Sequence, residues 1–256
     1  MLAFLDIDLE DKTITLCGNY GDPIYHTDLI RMISKLKDRG AMIKIVTNGS
    51  YKSKHWWQDL CLVLDTKDEI IFSIDGSPEN FMQYRINADW YSIQTGIEVC
   101  VANEIHTVWK FIAFRFNQDS IDDARHMAKS LGVHDFFVNP SDRFDEKTID
   151  FIPRLDLLGA RKASQDLMKQ GFGNEIDPEC HRGRAYYISA DGFFSPCCYV
   201  SDHRFYYKTQ FGKQRGEYDI KNTTFSQIMT DQKMREFYQT LHSTRLGVCQ
   251  YNCPKT

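Results

Sequence analysis

Short β-branched, apolar runs alternate with amphipathic runs along the first half of this 256-residue chain, and that rhythm constrains the fold more than anything else in it. Residues 13–16, 42–46, 69–74, 108–116 and 135–138 read as five strands. Between them, 27–39, 56–64, 91–103 and 121–131 read as helices. In the first of these, Leu29, Ile30, Ile33 and Leu36 fall on one face, and Gly40 follows as a C-terminal stop. Strand, helix and strand repeated in this way predict βαβ units and a parallel sheet. The rhythm breaks after about residue 155. A helix over 161–168 is followed by Gly171, Gly173, Pro178 and Cys180, which open a segment of different character. The expected division is a first domain over 1–155 and a smaller one over 156–256, with the boundary near 155–175.

A composition of 42% hydrophobic and 26% charged residues suffices for a sizeable core. The net charge of −4 gives no basic footprint for nucleic acid. No apolar run approaches the ~20 residues of a membrane span, and residues 1–6 do not read as a secretory signal. Eight cysteines in such a chain point to metal or redox use rather than disulfides. The expected compartment is a reducing cytoplasm. The eight histidines form no HxxxH or HExxH pattern.

Three polar, glycine-bearing turns stand where apolar strands stop. They are Cys17-Gly18-Asn19-Tyr20-Gly21-Asp22-Pro23, Thr47-Asn48-Gly49 and Ser73-Ile74-Asp75-Gly76. The carboxyl ends of parallel strands are where small ligands bind. Glycines let backbone approach a ligand, and Asn19 and Asp22 add an acceptor-rich rim suited to an ammonium group. Arg85 follows Ser73 by twelve positions; a serine hydroxyl with an arginine fork suits a carboxylate. Each turn alone also reads as a plain connection. It is the ordered set that carries information.

In order and spacing that set resembles the radical S-adenosylmethionine (radical SAM) enzymes, with a cysteine-rich C-terminal extension of the SPASM or shorter twitch type. The resemblance runs from about Thr13 to the C-terminus. It implies a partial (β/α)6-type barrel of parallel strands followed by a small cysteine-rich domain. By the same resemblance Asn19, Gly21 and Asp22 hold the methionyl amino group, and Thr47 and Asn48 belong to the next strand ending. Ser73, Asp75 and Arg85 form the carboxylate side, and Asn117 reaches the ribose. The family's CxxxCxxC loop, which binds the catalytic [4Fe-4S] cluster, does not occur in this sequence. Cys17, Cys61 and Cys100 are scattered singly and are expected to pack as small buried hydrophobes. The expectation is an N-terminally truncated form, with the radical cluster present only in a longer one.

Cys180 and Cys197 flank a stretch centred on Asp191-Gly192, which reads as a hairpin bringing them close. A helix over 231–241 then delivers Cys249 and Cys253. Four thiolates in one place hold an iron–sulfur cluster or zinc. The spacing is similar to the SPASM signature, whose middle cysteines are missing, which implies one auxiliary [4Fe-4S] cluster. Cys198 is the alternative to Cys197, whose spacing from Gly192 fits better. The function implied is hydrogen abstraction from a peptide, protein or small-molecule substrate by a radical derived from SAM, with an electron donor of flavodoxin or ferredoxin type. No catalytic residue can be named. The rivals are a non-catalytic SAM- or nucleotide-binding protein with an iron–sulfur or zinc site, and an ordinary α/β protein with a zinc-ribbon-like tail.

Overall fold

A computed structural model describes residues 6–18, 21–139, 144, 148–157, 175–182, 185–244 and 246–253. The chain divides into two compact units, one of Leu9–Lys162 and one of Met1–Asp8 with Ala163–Thr256.

The first unit holds five parallel strands, β1 (Thr13–Leu16), β2 (Met42–Thr47), β3 (Glu69–Ser73), β4 (His106–Ile112) and β5 (Asp135–Asn139), ordered as in the chain. Helices α1 (Leu29–Lys37), α2 (Lys54–Cys61), α3 (Trp90–Ala102) and α4 (Ile121–Ser130) connect them. This is the expected α/β architecture. Alternation sorts the side chains: Ile43, Ile45, Ile70, Phe72, Trp109 and Phe111 are buried on one face. The register Lys44↔Glu69↔His106 and Ser73↔Lys110↔Phe137 runs across the other, so that face is the polar one.

Local chemistry sets the ends. Ser53 caps α2 through the Trp56 N–H, and Asp89 caps α3 through the Ser92 N–H. Inside α3, Gly96 leaves room for the fully buried Trp57, whose indole would lie 2.6 Å from any added Cβ. Strand β4 starts and stops earlier than the apolar pattern suggests. Asn117 takes the Phe114 N–H at 2.6 Å and donates to the Ile112 carbonyl at 3.0 Å, which ends the strand at Ile112. Beyond it Phe114 and Phe116 stack on each other and meet Phe151 edge-on. Cys61 and Cys100 are buried as expected, but Cys17 is exposed at the end of β1. The helix expected over 161–168 lies outside the described residues.

The second unit has a two-stranded antiparallel hairpin, β6 (Tyr187–Ile188) and β7 (Phe194–Ser195), turning at Gly192 with φ +89°. Helices α5 (His203–Tyr206), α6 (Gln210–Lys213), α7 (Phe225–Thr230), α8 (Gln232–Thr244) and α9 (Gly247–Asn252) follow. Its core is built on Phe194, Phe211, Tyr218, Ile220, Met234 and Leu241. Thr224 and Gln227 form a capping box at the start of α7. Near the same turn, Asp6 accepts from the Ser226 N–H at 3.3 Å. That contact joins residues 220 positions apart within this unit. No helix of the described residues is long and apolar enough to cross a membrane.

Candidate functional site

At the carboxyl ends of β1 and β2 a hydrogen bond joins the first two predicted turns, while the third, after β3, has partners of its own. The Asp22 carboxylate accepts from Ile24 N–H at 3.2 Å and from Asn48 N–H at 2.6 Å, tying the first turn to the second. A Cβ on Gly18 would collide with the Gly21 carbonyl, so the turn closes only with glycine at that position. Asn19 lies outside the described residues. Thr47 is buried and its hydroxyl accepts the Gly49 N–H at 3.0 Å; Asn48 Oδ1 accepts the Ser50 N–H at 2.9 Å. Gly49 has φ +76°, and its Cα lies so close to the Phe72 ring that a Cβ would stand 2.7 Å from it.

Asp75 and Arg85 meet each other. Asp75 is fully buried, its Oδ1 accepting the Ile112 N–H at 2.9 Å and its Oδ2 receiving the arginine Nε and Nη2 at 2.7 Å each. Burial pushes the Asp75 carboxyl up, while the Arg85 charge and the Ile112 N–H pull it down. Asn117, also fully buried, spends both ends of its amide on protein, donating to the Asp75 and Ile112 carbonyls and accepting from Phe114. The sequence singles out these three residues as ligand contacts; the structure shows them bracing the ends of β3 and β4 against each other. Ser73, by contrast, is partly exposed on the polar face of the sheet.

Sequence reasoning missed Lys110. It is the register partner of Ser73 on β4, close enough to Cys17 and Asp75 to act on their ionisation. The signal available in the sequence was a lysine interrupting an otherwise apolar strand.

In the second unit the cysteines gather around the hairpin. Cys180 and Cys197 hydrogen-bond through their thiols, and the charges of Cys249 and Cys253 are felt at Cys180. The shifts come from the other sulfurs, from burial and, at Cys197, from backbone N–H groups. Cys180 is pushed far up, first by its hydrogen bond with Cys197 and then by burial; burial also takes Cys249 up to about 12. Cys197 is lowered to about 7, because its sulfur accepts from the Cys180 thiol and from the N–H groups of Val200 and Tyr199. The Val200 contact measures 3.5 Å. Cys198 is exposed, whereas Cys197 is half-buried beside Cys180. The Cys253 carbonyl accepts the Asp177 N–H at 2.9 Å, fixing the end of α9 near the start of the Cys180 segment.

Among the described residues no group of three or more His, Cys, Asp or Glu side chains stands close enough to hold a metal ion. In chemistry the donor set suits an iron–sulfur cluster. Cys180 and Cys249 are buried and Cys197 and Cys253 half-buried. The charges of the other three are felt at Cys180, and the N–H groups of Val200 and Tyr199 point at the Cys197 sulfur. Tyr238, whose ionisation is raised by burial and by Cys180 and Cys197, keeps a buried hydroxyl without a hydrogen-bond partner. A phenol O–H left unmet near the Cys180 and Cys197 sulfurs is a donor awaiting an acceptor.

Residues 180–254 match the family model of the SPASM iron–sulfur cluster-binding domain. No curated protein matches the chain. Among solved structures, SuiB of Streptococcus suis superposes with a TM-score of 0.57 at 10% identity, over 93% of this chain and 60% of SuiB. The anSMEcpe protein with bound AdoMet gives a TM-score of 0.51 at 9% identity, over 94% of this chain and 74% of that one. The chain thus spans about three fifths to three quarters of the length of these two neighbours. At such identities the likeness is one of fold. The chain shares the fold of these AdoMet-bound and related structures, and residues 180–254 match a SPASM iron–sulfur cluster-binding domain.

Proposed function

We propose that this chain belongs to a radical SAM enzyme and holds one auxiliary [4Fe-4S] cluster on Cys180, Cys197, Cys249 and Cys253. What supports the reading is that the four cysteines fall within the segment matching the SPASM domain and that Cys197, Cys249 and Cys253 each act on the ionisation of Cys180. The turns at Gly18–Asp22 and 47–49 and the Ser73 hydroxyl form the side that receives SAM. Bound there together, SAM and a reduced [4Fe-4S] cluster would supply the radical chemistry of hydrogen abstraction. The CxxxCxxC motif for that catalytic cluster does not occur in this sequence. What its own residues do is position: Asp22 locks two turns together, and Asp75 with Arg85 and Asn117 fixes the strand ends against which a ligand rests.

The substrate on this reading is a peptide, a protein or a small molecule. The anSMEcpe structures that hold a bound peptide beside AdoMet favour the peptide class. A flavodoxin- or ferredoxin-type donor would deliver electrons, in a reducing cytoplasm.

Anaerobic reconstitution with iron and sulfide tests the reading. The expected product is brown protein with four irons per chain and no 5′-deoxyadenosine from SAM under strong reductant. Colourless protein holding zinc would instead favour a structural metal site.

A further inference from the structure

Helices α2 and α3 meet where Gly96 faces Trp57, an approach so close that a Cβ on the glycine would stand 2.6 Å from the indole. Both helices return between parallel strands of one sheet, so they run in the same direction. One turn further along each, the seam carries Cys61 on α2 and Cys100 on α3. Cys100 has no exposed surface and Cys61 only 6%. The two thiols hydrogen-bond to each other. Cys17, the other cysteine of this unit, is exposed at the end of β1.

The pair is unequal. The hydrogen bond from Cys100 holds Cys61 low against the effect of burial, while the same bond and burial together push Cys100 up. Cys61 is therefore the sulfur that ionises first, and Cys100 the donor that keeps its proton. Cys61 is also the last residue of α2, and Leu62 after it has 82% of its surface exposed. Helix ends open locally far more often than cores do. A small oxidant thus reaches Cys61 first, with Cys100 already in contact behind it.

We propose that Cys61 and Cys100 are a site of reversible oxidation, closing to a disulfide across the α2–α3 seam when the protein meets hydrogen peroxide. The Cys61 thiolate attacks one peroxide oxygen, the O–O bond breaks, and a sulfenic acid forms with release of hydroxide. The Cys100 sulfur then bonds to the Cys61 sulfur and displaces the hydroxyl group. The two thiol protons turn both departing oxygens into water. Two thiols have then lost two electrons, and one peroxide has become two waters. A dithiol reductant restores the pair by exchange. Because Cys100 intercepts the sulfenic acid, Cys61 is spared the irreversible step to sulfinic acid. The proposal stands on the first unit alone and is independent of SAM and of the iron–sulfur site.

Peptide mapping of the full chain tests it. Iron-free protein, reduced and then freed of reductant, is treated under native conditions with hydrogen peroxide. Remaining thiols are capped with N-ethylmaleimide in urea, and the digest is run without reduction. The expected product is a linked pair of peptides joined through Cys61 and Cys100, lighter than the free pair by two hydrogens and separated by dithiothreitol. In Cys100→Ser, dimedone should trap a sulfenic acid at Cys61, whereas Cys61→Ser should leave Cys100 unmodified. The mapping of the unaltered chain stands even if a variant fails to fold. Recovery of both residues as capped thiols while Cys17 is oxidised overturns the proposal. So does a link that forms only when the peroxide is added in urea, sulfinic acid at Cys61 in the unaltered chain, or the reverse dimedone pattern.

Discussion

Arg85 approaches Asp75 with two nitrogens, Nε and Nη2, both 2.7 Å from the same oxygen, Oδ2. The other oxygen holds the Ile112 N–H. One buried carboxylate thus fastens the loop after β3 to the end of β4.

Replacing that carboxylate leaves a cation and an amide without acceptors. Asp75→Ala is expected to destabilise the protein by about 3–5 kcal/mol, read as a lower urea midpoint at unchanged slope. Asp75→Asn, which keeps an oxygen for Ile112, should cost less. A loss below about 1 kcal/mol in Asp75→Ala would show that the pair acts like an ordinary surface ion pair.

Helices α2 and α3 pack at the distance that a missing side chain allows. Gly96→Ala puts a methyl 2.6 Å from the Trp57 indole, and Trp57 is fully buried with no room to retreat. A loss of about 1–3 kcal/mol is expected despite the better helix propensity of alanine. Thermal unfolding measures it, and a gain in stability would mean that the helices slide apart freely.

The cysteine thiols should separate by pH in iron-free protein. Cys197, lowered to about 7, carries its charge above that pH, while Cys249, raised to about 12, stays protonated until far higher. Only thiolates alkylate. Iodoacetamide labelling of Cys197 should rise with a midpoint near 7 while Cys249 lags, as peptide mapping would show. If the two label together, the hydrogen bonds to the Cys197 sulfur are not holding its charge.

Neighbouring cysteines give a sharper contrast. Cys197→Ala should lose the iron and sulfide taken up on reconstitution, whereas Cys198→Ala, altered at the exposed neighbour, should keep them. Iron analysis of both variants checks this, and the reverse pattern would move the ligand by one position.

How far the residues announce the structure depends on what each signal measures. Strand order and the places of the turns were readable, because period-2 burial and glycine at positive φ are local demands. The end of β4 was not. Phe114 and Phe116 continue the apolar alternation, but they serve an aromatic cluster with Phe151 and not the ladder. The fate of Arg85 was equally hidden, since a sequence shows a cation without its acid. Convergence of Cys180 with Cys197 was legible through the hairpin between them. The attachment of Asp6 beside α7 was not, because no pattern joins residues 220 positions apart.

The spacing of the four cysteines also orders events in time. Cys180 and Cys197 leave the ribosome close together, but Cys249 and Cys253 follow Cys180 by about seventy residues. The parallel sheet has no such delay: each strand pairs with the one synthesised just before it, and domains fold as they emerge. During synthesis, then, a finished sheet precedes a sulfur site that is half supplied. Metal delivered in that interval would meet two thiols and leave again, so loading is a task for the completed chain.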